Sequence, residues 1–330
     1  MHRAYHALPP LTSRDGRVVN AVYGFFGMMF RVTEDLKPTH FAVAFDTEKP
    51  TFRHAAYVGY QAQRPRLESD LADQISLTQE LLIAGGISVF IAPGYEAEDI
   101  IGTLAAKTIE SRWLKVEGGN LKIDSRRSIY PQSSNFKNPS STIHSPSSRI
   151  EIIIVTGDRD LLQLVNKRTK VCLPVHGLTE THILDEAEVK NYIGVTPAQI
   201  IDYKALVGDQ SDNYPGVAGV GPKTASTLLA QYKNFEGVYK NLKKLAPNLV
   251  AKLSEGHDSG VLSRDLATIR RDVPVAFDLE KMEFHDFREN ESLVNAFAEL
   301  GFKSLVARAR GVAATRAPKE KKQKEQMELV

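Results

Sequence analysis

The chain has 330 residues, is 42% hydrophobic and 25% charged, and carries a formal net charge of +2 with a single cysteine. That balance suits one large or two smaller globular domains with a real core. It excludes an intrachain disulfide, and the longest apolar stretch, Tyr23–Phe30, is far below the ~20 residues that cross a bilayer. Met1-His2-Arg3-Ala4-Tyr5 has no signal-peptide core, so a cytoplasmic location is expected.

In chain order, His40–Phe45 is a short apolar run rich in Val and Phe, expected as a buried strand. Leu71–Ala84 follows with helical spacing of Leu71, Ile75, Thr78, Leu81 and Leu82. Ile87–Ala92 is a second strand, and Asp99–Ile109 a helix through Ile100, Ile101, Leu104 and Ala105. Residues 112–150 break the pattern with a Ser/Asn/Pro-rich tract carrying seven Lys/Arg and two Asp/Glu, which reads as a flexible surface insertion. Glu151–Thr156 is a third apolar strand. Cys172, in another apolar run, reads as a small core residue. This alternation predicts an α/β core over residues 1–180, a mostly parallel sheet flanked by helices. From about residue 181 to 310 the pattern is helical, with helices over Asp185–Tyr192, Pro197–Val207 and Pro222–Tyr232. Residues 311–330 form a charged tail, expected to be disordered or a frayed helix.

Charge is unevenly spread along these elements. Residues 301–330 hold eight Lys/Arg against three Asp/Glu, which leaves 34 against 37 for the first 300. A nucleic-acid binder with such a body must place its basic groups locally. Its acids, meanwhile, fall at strand ends. Asp46 follows the first run, Glu96, Glu98 and Asp99 follow the second, and Asp158 and Asp160 follow the third. Functional sites of open parallel sheets lie beyond the carboxyl ends of the strands. Three adjacent strands would bring these six carboxylates to one rim, joined by Asp209 and Asp212 from a turn-rich loop. Any one of these acids alone is an ordinary cap or turn residue; independent caps need not share a rim. Eight clustered carboxylates repel one another unless cations intervene. No cluster of His or Cys accompanies them, which argues against zinc. Hard oxygen ligands suit Mg²⁺, with Mn²⁺ as a substitute, and a pair of such ions supports phosphoryl displacement.

Two further signals concern anions. In Gly216-Val217-Ala218-Gly219-Val220-Gly221-Pro222-Lys223-Thr224 the glycines permit close backbone approach, and Pro222 suits the first position of a helix. Such a loop aims backbone N–H groups at a phosphate without reading sequence, and Lys223 adds charge. A plain tight turn is the competing reading. The spacing is not that of a nucleotide P-loop. Arg53 and Arg64, with Tyr57 and Tyr60 between them, could grip a phosphate and stack on a frayed base. Surface charge and core aromatics are the plainer alternative.

Taken together these stretches resemble the 5′–3′ exonuclease domain of bacterial DNA polymerase I, within the flap endonuclease superfamily. The resemblance runs through Arg3-Ala4-Tyr5-His6-Ala7-Leu8-Pro9, Phe45-Asp46, Phe52-Arg53-His54 and Gly94-Tyr95-Glu96-Ala97-Glu98-Asp99. It continues in Thr156-Gly157-Asp158-Arg159-Asp160-Leu161, Gly208-Asp209-Gln210-Ser211-Asp212-Asn213-Tyr214-Pro215 and the glycine hairpin. It implies a PIN-like fold followed by a helical region with a helix–three-turn–helix DNA-binding element. The implied activity is two-metal hydrolysis of DNA phosphodiesters at 5′ flaps, nicked or gapped duplex and RNA-primed DNA, in primer removal and repair. Asp46, Glu96, Glu98, Asp99, Asp158, Asp160, Asp209 and Asp212 would hold the metals, with Asp46, Glu96, Asp158, Asp160 and Arg64 in catalysis. Gly216, Gly219, Gly221, Lys223 and Thr224 would hold duplex DNA, with a K⁺ ion at the hairpin, and Arg53 and Arg64 would steer the 5′ strand. A separate DNA polymerase and a bacterial nucleoid location are implied as well.

Four departures qualify the resemblance. The family's first strand ends in a further metal-binding Asp, and this sequence opens after it. Gln61 stands where the family carries Lys, the insertion at 112–150 is unusual, and the sequence ends where a polymerase would begin. The alternatives are therefore a DNA-junction-binding module with impaired catalysis and, on a PIN-like core, a ribonuclease.

Overall fold

The computed structural model describes residues 1–111, 114–117, 120–123, 150–174 and 181–311. In chain order it contains helices α1 (His2–Ala7) and α2 (Asn20–Leu36), strand β1 (Ala42–Ala44), helices α3 (Phe52–Ala56) and α4 (Ser69–Ala84), strand β2 (Ser88–Phe90) and helix α5 (Ala97–Ser111). Strands β3 (Leu114–Glu117), β4 (Asn120–Ile123), β5 (Ile152–Val155), β6 (Thr169–Pro174) and β7 (Thr181–Leu184) follow. The remainder is helical: α6 (Glu186–Ile193), α7 (Ile200–Val207), α8 (Pro222–Tyr232), α9 (Phe235–Lys240), α10 (Pro247–Glu255), α11 (His257–Ala267), α12 (Glu291–Glu299) and α13 (Lys303–Ala309). No helix among the described residues is long and apolar enough to cross a membrane.

Packing divides the chain into two compact units that interleave in sequence. One comprises Met1–Pro38, Glu68–Ile87 and the segment from Phe284 onward. Here α2 buries Val22, Phe26, Met29 and Phe30 along one face at helical spacing. Phe26 meets Phe297 edge-on at 4.9 Å between ring centroids, and Phe30 meets Phe287 likewise at 4.9 Å. Gln74 is buried in α4 and accepts the Ala21 N–H at 2.7 Å, so the start of α2 has its backbone donor satisfied inside the core.

The second unit, Thr39–Leu67 and Ser88–Glu283, carries every strand among the described residues and every candidate site residue. Strand β1 pairs in parallel with β2, Ala42 opposite Ser88. Strand β5 pairs in parallel with β6, and β6 pairs antiparallel with β7. The expected single sheet of three adjacent strands is thus corrected. Among the described residues β5 has its ladder on β6, a six-residue run that includes buried Cys172, and not on β1 or β2. The α/β class with parallel pairing and flanking helices stands. Within 112–150 the backbone forms an antiparallel hairpin of β3 and β4; the rest of that insertion, and the charged tail, lie outside the described residues.

The helical half of this unit is tied to the strands by one apolar core. Ile154, Leu162, Val171 and Leu184 pack with Ile200, Leu206, Val217, Leu228 and Phe235. Helix α6 starts on a capping box in which the Asp185 side chain accepts the Ala187 and Glu188 N–H groups. Helix α8 starts at Pro222 with Gly221 as its N-cap.

Candidate metal centre

The N-terminus of α5 gathers one set of acids. Asp46, exposed just past β1, accepts the Ala97 N–H at 2.7 Å and so caps the helix from another element. Asp99 is fully buried and accepts the Glu96 N–H at 3.1 Å and the Arg270 N–H at 2.8 Å. Glu96 and Glu98 flank it with side chains about one-seventh exposed, at 14% and 13%. Glu96 also accepts hydrogen bonds from the Thr51 hydroxyl at 3.2 Å and the Tyr60 hydroxyl at 3.1 Å.

One guanidinium holds this set together. Arg53, in α3, has no solvent exposure; it donates to Asp99 through Nη1 at 2.7 Å and Nη2 at 2.9 Å and reaches Glu98 at 2.8 Å and Glu96 at 3.5 Å. Its remaining donors go to the Leu266 carbonyl (2.8 Å) and the Thr268 carbonyl (3.1 Å). A planar fork with every donor used inside the protein cannot also grip a phosphate. The expected role of Arg53 in steering DNA is therefore corrected: it is the buried counter-charge of the acids. Tyr60 is likewise buried, with its hydroxyl on Glu96, and offers no face to a base. Burial pushes the Glu96 carboxyl up to about 7 against the opposing pull of Arg53, and burial pushes Glu98 well up in the same way. Asp160 and Asp158 are among the charges that raise Glu98, so the α5 acids sense the second set.

That second set is Asp160, Asp209 and Asp212, each offering a carboxylate oxygen within 4.8 Å of the others. Asp158, exposed beyond β5, folds back so that its Oδ1 accepts the Asp160 N–H at 2.9 Å; Asp160 opens a short 3₁₀ turn ending at Leu164. Asp209 Oδ1 accepts the Ser211 N–H at 2.7 Å and the Ser211 hydroxyl at 2.5 Å. Asp212 accepts from the Gln61 amide at 2.9 Å, and the Gln61 N–H donates to the Asp212 carbonyl at 2.9 Å. Gln61, at φ 50°, is thereby locked onto the acids.

Lys204, on α7, completes the set and was not foreseen from the sequence. Its ammonium bonds Asp160 and lies 2.6 Å from Asp209 Oδ2, with the side chain 13% exposed. Burial pushes the Asp160 carboxyl up to about 6 despite Lys204. Burial also works against ionised Asp209, but Lys204 and Ser211 outweigh it and hold its carboxyl below the usual range. Asp212 is raised, chiefly by burial. The available signal was position: Lys204 lies one turn after Ile200, which is 1% exposed, so it sits on the inward face of α7.

The glycine loop lies between α7 and α8. The Val220 N–H donates to the Val217 carbonyl at 3.0 Å across a turn with Gly219 at φ 76°, the geometry of a type II turn. Gly216, at φ 63°, packs so tightly that a Cβ would sit 2.2 Å from the Gly208 nitrogen. Gly221, in contrast, has an ordinary φ of −93° and open space around it. Lys223 is exposed and Thr224 half-buried in the first turn of α8, and Arg64 is exposed.

Comparison with known proteins gives two family matches along the chain. Residues 1–117 match the family "5′-3′ exonuclease, N-terminal resolvase-like domain", and residues 195–290 match "5′-3′ exonuclease, C-terminal SAM fold". DNA polymerase I of Bacillus subtilis is 36% identical over 308 residues, 93% of this chain and 31% of that protein, so the chain spans about a third of the length of the curated relatives it matches. Among solved structures, T5 5′-exonuclease with bound divalent metal ions (zinc) superposes with a TM-score of 0.54 at 15% identity, covering 88% of this chain and 89% of that one. The catalytic core of Rad2 in complex with DNA substrate gives 0.51 at 17% identity, covering 92% and 88%. These two likenesses concern the fold.

Proposed function

The chain belongs to the 5′–3′ exonuclease family, and from that membership we propose that it hydrolyses DNA phosphodiester bonds with two divalent metal ions, at 5′ flaps and at the 5′ ends of nicked, gapped or RNA-primed duplex. The observation that carries the proposal is the convergence of Asp160, Asp209 and Asp212 on one point, beside the Glu96–Glu98–Asp99 set. The donor set is all oxygen and partly buried, which fits Mg²⁺ or Mn²⁺. Two of its acids are held above the ordinary carboxylate range, chiefly by burial and then by neighbouring carboxylates, against the pull of Arg53 and Lys204. Bound ions would supply positive charge, stabilise the developing charge on a phosphate and make water more acidic.

The chain's own residues take distinct parts. Asp160, Asp209, Asp212, Glu96 and Glu98 would hold the ions, with exposed Asp46 and Asp158 at the edge of the set. Asp99, saturated by Arg53, would act beneath them as a support. The turn at Gly216–Gly221 and the first turn of α8 would present N–H groups and Lys223 to a duplex phosphate, as a sequence-independent grip. Lys252 Nζ lies 3.2 Å from the Gly219 carbonyl and would compete there with a K⁺ ion. Exposed Arg64 would take the 5′ strand, and a separate DNA polymerase would be the functional partner.

A second reading, a DNA-junction binder with impaired catalysis, is favoured by Gln61. Its amide is bonded to Asp212 and brings no charge towards a phosphate. Cleavage of an end-labelled 5′-flap duplex in Mg²⁺ and in Mn²⁺ tests both. The nuclease reading expects cleavage that is lost in Asp160→Asn and in Asp212→Asn while duplex binding persists. Binding without cleavage by the unaltered chain would establish the second reading in its place.

A further inference from the structure

We propose that Lys204 is the resident counter-cation of the Asp160–Asp209–Asp212 cluster, and that a divalent ion entering the cluster must displace its ammonium group. The inference rests on the two-metal reading above and adds a residue that sets how tightly the ion is held. It follows from an inventory of oxygen atoms. Asp209 Oδ1 is engaged by the Ser211 N–H, the Ser211 hydroxyl and, at 3.3 Å, the Asp212 N–H. Its other oxygen, Oδ2, is the one that Lys204 holds at 2.6 Å. The same ammonium bonds Asp160 Oδ1. Two of the three converging acids thus each have an oxygen bonded to Lys204. A cation that binds those two oxygens competes with the ammonium for them.

The lysine is built to yield. Its ammonium is a point charge on a four-carbon stem, able to swing aside without moving α7. Among the described residues nothing else is bonded to Nζ besides the two carboxylates. The consequence for the ion is an affinity lower than the carboxylates alone would give, because displacement breaks two charge-assisted hydrogen bonds. For Lys204 it is release from a buried ion pair into the neighbourhood of the site.

Acylation of the intact protein by acetic anhydride, mapped by mass spectrometry and normalised to exposed Lys243, reads this release directly. Lys204 is expected to be protected in chelator and labelled in excess Mg²⁺ without DNA. Calorimetric titration of Lys204→Met with Mg²⁺ is expected to show binding about tenfold tighter than the unaltered chain, as removal of a competing charge at contact distance requires. Lys204→Arg, which keeps the charge, is expected to bind no more tightly than the unaltered chain. If Lys204→Met fails to fold in chelator, the labelling of the unaltered chain decides. Mg²⁺ binding with Lys204 labelling unchanged overturns the displacement and leaves the nuclease reading intact. Absence of Mg²⁺ binding by the unaltered chain overturns both.

Discussion

Arg53→Met is the substitution whose consequence the structure fixes most tightly. Methionine retains much of the volume and none of the donors. The loss strands Asp99, which has no exposure and keeps only two backbone N–H donors, and Glu98, which loses its 2.8 Å partner. Breaking a buried pair from one side typically destabilises by about 3–5 kcal/mol. The orphaned Leu266 and Thr268 carbonyls add about 1 kcal/mol. At pH 8 the expected loss is therefore about 5 kcal/mol. At pH 5 it should be smaller. Arg53 pulls Glu96 and Glu98 down while burial pushes both up, Glu96 to about 7. Without Arg53 they rise further, so the folded mutant binds protons that the unfolded chain releases. An acid raised in the folded state adds stability below its folded pKa and loses it as pH rises through that value. The mutant should therefore recover part of the loss between pH 8 and pH 5. Urea unfolding followed by far-UV circular dichroism, in chelator at both pH values, measures this. A loss under about 1 kcal/mol at pH 8, or the same loss at both pH values, would refute the assignment of Arg53 as the counter-charge of the α5 acids.

The same sign governs the unaltered chain. Glu96 at about 7 and Asp160 at about 6 lie above their ordinary values of 4.5 and 3.8, so in chelator the melting temperature should fall as pH rises from about 5 through 7. Mg²⁺ at pH 8 should restore it, and a flat profile in chelator would contradict the burial of these groups. Gly216→Ala forces a Cβ against the Gly208 backbone at positive φ and is expected to destabilise by about 2 kcal/mol or more, weakening duplex binding in a fluorescence-anisotropy titration. Gly221→Ala, with open space and φ −93°, should change stability little; comparable losses at the two positions would undo the distinction. Lys223→Ala should weaken duplex binding equally on unrelated sequences and reduce the salt slope by about 1; an unchanged slope would remove Lys223 from the phosphate contacts.

What the sequence made legible was local. Helix α8 occupies the expected Pro222–Tyr232, and α6, Glu186–Ile193, lies one residue from the expected Asp185–Tyr192, because the start signals there are short-range. The acids at the ends of β1, β2 and β5 were legible for the same reason. What escaped depended on distant partners. Nothing in Phe52-Arg53-His54 says that the guanidinium turns inward; its anchors, Asp99, Leu266 and Thr268, lie 46, 213 and 215 residues away. Strand β6 escaped because its Val171-Cys172-Leu173 run is short and its ladders to β5 and β7 make it a strand. Lys204 hid in an otherwise ordinary helix, marked only by sharing a face with Ile200.

The two acid sets are neutralised by chemically different cations, and that difference separates their behaviour. Arg53 has no exposure, is bidentate to Asp99 and is fixed further by two carbonyls, so removing it from its acids means breaking several bonds at once. Such a cation pre-organises: it keeps Glu96 and Glu98 in place whatever the metal does. Lys204 is held by two carboxylates and, among the described residues, by nothing else. A single ammonium offsets one of the three charges of Asp160, Asp209 and Asp212. Even with it present, burial keeps Asp160 raised to about 6. A divalent ion in its place would bring one more unit of charge and would let Asp160 ionise fully. On this proposal the α5 acids would form the rigid wall of the centre, and the α7 side its exchangeable half, where ion entry and lysine departure would be one event.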